Sequence, residues 1–118
     1  MKKFEDSDIW QDALLTSKRI YKLTSQFPKS ETFGLVAQMR RSVNSVSANF
    51  AEGFGRFSKK DKHHFYMIAN GSLLETKSFI YLSVELGFVS SDSIGELLLD
   101  IESLQKRLNS LMKTHRSL

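Results

Sequence analysis

From Val36 to Phe57 an apolar or small residue returns at every third or fourth position: Val36, Met39, Val43, Val46, Phe50, Gly53 and Phe57. A helix gathers such positions on one side, whereas a strand would need alternation at every second residue. This seam is expected to face the chain's own core. Beside it runs a second seam with the same step, Ala37, Arg40, Asn44, Ser47 and Ala51, whose side chains are mostly short or polar. A solvated helix face is ordinarily filled with Glu, Lys and Gln, which form helices better than Ser or Asn. The second seam therefore predicts a close neighbour, and together with Glu52 it is the expected oligomer interface.

The same period recurs in three further blocks. Trp10, Ala13, Leu14, Ser17, Ile20, Tyr21 and Thr24 predict a first helix over residues 7–26, with Asp6, Ser7 or Asp8 as its N-cap and Pro28 beyond its end. Only Pro28, Lys29 and Ser30 separate it from the second helix, predicted over residues 31–54 and flanked at its end by Gly53 and Gly55. Ser58 followed by Asp61 predicts the cap of a third helix. Phe65, Ile68, Ala69, Ser72, Leu73, Thr76, Phe79, Ile80, Ser83 and Leu86 carry that helix to about Leu86, where Gly87 and Phe88 read as its C-terminal cap. Its period passes unbroken through Asn70 and Gly71, so Gly71 predicts a close helix contact rather than a hairpin turn. A fourth helix is predicted from Ile94, Leu97, Ile101, Leu104, Leu108 and Leu111, widened by Leu98 and Met112, capped by Ser93 with Glu96, and frayed from Lys113 to Leu118. The absence of any alternating run makes the expected fold all-α, an antiparallel up-down four-helix bundle in one domain over residues 1–118.

The chain has no cysteine, which excludes disulfides and thiolate metal sites and fits a reducing cytoplasm. Acids and Trp10 follow the first two lysines at once, unlike a signal or transit peptide, and no apolar run approaches the ~20 residues of a membrane span. The formal net charge of +4 is localised. Between Arg40 and His64, Arg40, Arg41, Arg56, Lys59, Lys60 and Lys62 face only Glu52 and Asp61, so this segment holds the whole excess. Such a cluster is the electrostatic footprint expected of a polyanion partner, and Arg41, Arg56, Lys59, Lys60 and Lys62 are the predicted nucleic-acid contacts.

The motifs that carry chemistry are missing. His63 and His64 are adjacent, point about 100° apart on a helix, and lack a partner at i+4, so no metal is expected and both are read as exposed. Gly53-Phe54-Gly55 follows a helix rather than a strand and has Ser58 where a phosphate-binding loop would need its last glycine. No nucleophile elbow, Walker loop or zinc-protease motif occurs, so no enzyme activity and no cofactor is expected. Glu52 pairs either with Arg56 four residues later or with Arg40 or Arg41 of a neighbouring helix.

Trp10 with Ala13 and Leu14, Ile20-Tyr21, Phe27-Pro28, Phe33-Gly34-Leu35, Gln38-Met39-Arg40-Arg41-Ser42, Ala51-Glu52-Gly53-Phe54-Gly55-Arg56, Gly71-Ser72 with Glu75, and Glu85-Leu86-Gly87 together resemble a known family. It is the small four-helix bundle proteins called 23S ribosomal RNA intervening-sequence proteins. The resemblance covers nearly the whole chain, although Ser47 stands where the family usually has proline and Phe50 where it has an aliphatic residue. It implies an up-down bundle assembling as a homopentameric ring with a central channel. It also implies a link to genes within rRNA intervening sequences, and more distantly to accessory proteins of retroelement reverse transcriptases. The expected function is a non-catalytic oligomeric nucleic-acid binder, RNA before DNA. The alternatives are a scaffold for a protein partner such as a reverse transcriptase, and a helix-turn-helix-like DNA binder using the second and third helices.

Overall fold

The structure, a computed structural model, describes residues 3–114. Four helices carry the fold: α1 (Asp8–Thr24), α2 (Ala37–Phe54), α3 (Lys59–Glu85) and α4 (Gly95–Thr114). Hydrogen bonds and ion pairs between them fix an antiparallel register throughout. Ser17 Oγ donates to Val43 O of α2, Ser72 Oγ to Ser45 Oγ across α2 and α3, Lys77 pairs with Glu102 across α3 and α4, and Arg107 with Asp12 across α4 and α1. The result is an up-down bundle about 45 × 25 × 25 Å, with the helix axes along its length.

The apolar period places the core as expected along α2 and α4: Met39, Val43, Val46 and Phe50 share one buried core with Ile101, Leu104 and Leu108, all essentially out of solvent. Two corrections concern the edges of the stripes. On α1 the buried arc is Ile9, Ala13, Thr16 and Ile20, while Leu14 and Tyr21 stand at its exposed margin. On α3 the arc includes Tyr66, whereas Ile68 and Leu86 are exposed.

Between α2 and α3 the contact is made by small hydroxyl residues. Ser42 and Thr76 share a 2.8 Å hydrogen bond, and Ser83 Oγ reaches Met39 Sδ at 3.5 Å. Thr76 and Ser83 also donate to the carbonyls four residues back, Ser72 O and Phe79 O, so these buried hydroxyls are satisfied while letting the two backbones approach.

The ends of the helices differ from the sequence expectation in informative ways. Helix two does not run unbroken from residue 31: Gly34 takes non-helical angles (φ −105°, ψ −109°), Glu31 Oε1 accepts from Leu35 N, and the regular helix starts at Ala37. From there it continues without interruption through Ser47. At the end of α3, Phe88 N donates to Ser83 O and Gly87 N to Val84 O with Gly87 at φ +77°, the two-bond glycine cap expected from the sequence. Ser93 does not cap α4, because its hydroxyl turns back to Ser90 O and α4 begins at Gly95. Lys113 and Thr114 are helical, and the rest of the expected frayed segment lies outside the described residues.

Gly71 also departs from expectation. A Cβ built there meets nothing within 4 Å, so no helix of the chain approaches it. Within the single chain, Gly71→Ala is expected to raise the stability of the bundle by roughly 0.5–1 kcal/mol, the helix-propensity difference, as read from a urea unfolding midpoint of dissociated protein. A loss of stability confined to the assembled protein would place another chain against that position.

Candidate nucleic-acid interface

The basic segment divides into two places. Arg41 lies thirteen residues before the end of α2 at Phe54, about 20 Å along the helix axis. There its guanidinium is 2.5 Å from Glu75 of α3, with its Nε donating to Gln38. Arg40, beside it, turns to α1, and Arg56, Lys59, Lys60 and Lys62 gather at the α2–α3 turn at one end of the bundle.

Both sides of that turn are pinned. α2 closes at Phe54, and Lys62 reaches back from the first turn of α3 to donate to Phe54 O at 2.7 Å and Gly53 O at 3.4 Å. Its ammonium also sits 5.4 Å from the centre of the Phe54 ring. A cation on the terminal carbonyls of a helix satisfies acceptors that have no partner inside it and complements the dipole. On the other side Ser58 Oγ accepts Asp61 N–H, the cap expected for α3. Lys62 is thus engaged in fastening the turn, while Lys59 and Lys60 are exposed and, among the described residues, make no ion pair.

Arg56 is held side-on. Its guanidinium lies 4.6 Å over the Phe65 ring and 3.7 Å from Glu52, the i, i+4 pair that the spacing suggested. Both partners are about half exposed, so the ion pair orients the side chain more than it stabilises the fold. His64 packs edge-on against the Phe65 ring at 5.3 Å and is exposed as expected. His63 does not stay in solvent: it is half-buried with Nδ1 3.2 Å from Met112 O of α4. Among the described residues no group of three His, Asp or Glu is placed to hold a metal ion.

Phe57 also lies elsewhere than its place in the apolar seam predicts. The seam on α2 ends at Gly53, Gly55 N and Arg56 N close the helix on Ala51 O and Gly53 O, and the Phe57 side chain stands wholly in solvent (103% exposed). The two glycines flanking the end of helix two carried this signal, since a helix closed there cannot hold position 57 on its buried side. Below the turn, a cleft of about 390 Å³ is lined by Phe50, Phe54, Tyr66, Ile9 and Leu111, with Lys62 and Asp8 at its edge. Burial there raises the pKa of the Tyr66 hydroxyl above its ordinary value.

The residues of the second α2 seam are divided as well. Arg40 is half-buried against α1, with Nε donating to Thr24 Oγ1 and its guanidinium 4.4 Å over the Tyr21 ring. Asn44 Nδ2 donates to the Tyr21 hydroxyl at 2.7 Å, and Ser47 is buried. α1 of the same chain is therefore one close neighbour that this seam serves. Ala37, Arg41, Asn44, Ala48 and Glu52 form the face of α2 that is exposed, with Ala51 half-buried beside it. Next to it, α3 exposes Met67, Gly71, Leu74, Ser78 and Tyr81, an apolar and small stripe with the same three-four step.

Fold and turn together define an all-α, up-down four-helix bundle protein that displays a fastened basic turn at one end. α2 and α3 lie antiparallel along their length, without the steep crossing of about 90–120° that a helix-turn-helix reader uses. The chain belongs to the 23S rRNA-intervening sequence protein family, whose model matches residues 5–110. Its fold is that of a protein of unknown function from the S23 ribosomal protein family of Bacteroides thetaiotaomicron, known from a crystal structure at 1.70 Å. The two superpose with a TM-score of 0.81 over 89% of this chain and 95% of that one, at 23% identity. No curated protein matches the sequence. Among the described residues no helix is long and apolar enough to cross a membrane.

Proposed function

We propose that this chain is a non-catalytic, oligomeric, cytoplasmic protein that binds RNA through the α2–α3 turn and works without cofactor or metal. The observation that carries this reading is the turn itself, where Lys59 and Lys60 are exposed without an acid partner while Lys62 and Ser58 hold the backbone that presents them. Arg56 adds a third cation at the same place. The family's description favours RNA over DNA. Assembly as a pentamer is proposed on the exposed faces of α2 and α3, where Ala37, Asn44 and Ala48 adjoin the stripe of Met67, Leu74 and Tyr81. Copies of one weak phosphate site on a single assembly raise the effective concentration of each later contact, so affinity grows with strand length.

Phosphate neutralisation releases counterions, so log affinity falls linearly with log salt, by roughly 0.7 per neutralised phosphate on single strands. The double variant Lys59→Gln, Lys60→Gln is expected to weaken binding of every RNA sequence alike and to make the slope shallower by about 1.4 per chain engaged. Fluorescence titration at several salt concentrations measures it, with light scattering alongside to show a mass five times that of the chain. An unchanged slope would remove the turn from the interface. A monomeric mass would leave the α3 stripe to a protein partner and favour the scaffold reading.

A further inference from the structure

The turn that carries the lysines also carries an aromatic ring with nothing to pack on. Phe57 is 103% exposed, although the rest of the turn is fastened by Lys62 on one side and Ser58 on the other. Fixed backbone on both sides means that the ring stands out from a set position rather than on a loose loop. Phe33, at the opposite end of the bundle, is nearly as exposed at 96%, but its flanking residues are Thr32 and Gly34. Phe57 instead has Arg56 before it, laid over the Phe65 ring of α3, and Lys59 and Lys60 just after.

A ring between cations matches one ligand chemistry closely. Unpaired bases expose π-faces that stack on an aromatic side chain, and the phosphates linking them lie within reach of lysines on either side. A duplex hides those faces in its own stack and offers only backbone. We propose that Phe57 is a stacking platform for an unpaired base, and that the turn of Arg56, Phe57, Lys59 and Lys60 binds single-stranded rather than double-stranded nucleic acid. This rests on the nucleic-acid reading above and narrows its ligand. Arg56 contributes a planar cation already laid on Phe65, an arrangement that can extend the stacked surface by one more base.

Stacking and phosphate contact leave different signatures. Removing a ring loses affinity without releasing fewer counterions, whereas removing a lysine changes the salt slope. Full-length wild type, Phe57→Ala, Phe57→Trp and the Lys59→Gln, Lys60→Gln double variant are titrated with a single-stranded RNA and with an RNA duplex of equal length, over a range of salt. Phe57→Ala is expected to weaken single-strand binding by roughly 5- to 100-fold at an unchanged salt slope, with duplex binding little altered. Phe57→Trp is expected to bind the single strand at least as tightly as wild type. Equal weakening on both RNAs, an altered slope, or no weakening on the single strand would overturn the proposal. If the lysine variant loses affinity while Phe57→Ala does not, the stacking proposal falls and the basic turn stands. If wild type binds neither RNA at low salt, both fall together. Light scattering of Phe57→Ala covers the remaining occupant: a smaller assembly than wild type would assign the ring to a second copy of the chain and overturn the proposal.

Discussion

Phe50→Ala is expected to lower the stability of the bundle by about 3–5 kcal/mol, the range for truncating a fully buried aromatic residue. The ring is 1% exposed and lies between two others, stacked on Tyr66 at 5.4 Å with planes 22° apart and tilted against Phe54 at 6.2 Å. Removing it leaves a void beside Tyr66 of α3 and Phe54 of α2, on two helices whose spacing is set by the hydroxyl hydrogen bonds of Ser42 with Thr76 and of Ser72 with Ser45. Those contacts resist the collapse that would reduce the cost. Urea unfolding followed by circular dichroism measures the change. A drop under about 1 kcal/mol would mean that the cavity closes freely and that the α2–α3 spacing is not set by the hydroxyl pairs.

Gly53→Ala is expected to destabilise by about 1–3 kcal/mol, although alanine is the better helix former by up to about 1 kcal/mol. A Cβ at this position would lie 2.8 Å from Tyr66 Cε1 and 2.9 Å from Phe65 Cβ. The tyrosine ring can shift a little. Phe65 Cβ cannot, because it is fixed to the α3 backbone, so the two helices must separate at the end that carries the basic turn. The strain therefore outweighs the propensity gain, the reverse of Gly71→Ala, where the added methyl meets open space. Thermal unfolding of the two variants side by side decides the matter: a higher midpoint for Gly53→Ala would show that the close approach of α2 to α3 is not required. The same variant is also expected to weaken RNA binding, since Lys62 reaches Phe54 O from a helix that has moved.

The contrast between these glycines shows how far sequence reasoning carries. Both sit in helices, and the sequence pattern predicts a close contact at Gly71, where no part of the chain comes near, while the tight approach occurs at Gly53. A glycine in a helical pattern signals that something is permitted, not which side of the helix is crowded. The second α2 seam behaves in the same way. Its short side chains announce a neighbour, but that α1 supplies part of it through Tyr21 and Thr24 depends on how the helices are rotated about their axes.

What the chain's sequence determines by itself is local: four amphipathic helices, the cap of α3 at Ser58, the glycine cap at Gly87, and the apolar stripe of α4. Each depends on residues within four or five positions of one another, where the helical period and backbone hydrogen bonding leave few alternatives. The family resemblance is legible for the same reason, since its motifs are short runs around these caps and seams. The candidate site needed the tertiary structure. Arg41 faces Glu75, Lys62 closes the end of α2, and Phe57 is left in solvent only because α2 stops at Phe54 and α3 folds back beside it. These outcomes follow from the register between helices distant in sequence, and periodicity within one helix carries no information about that register.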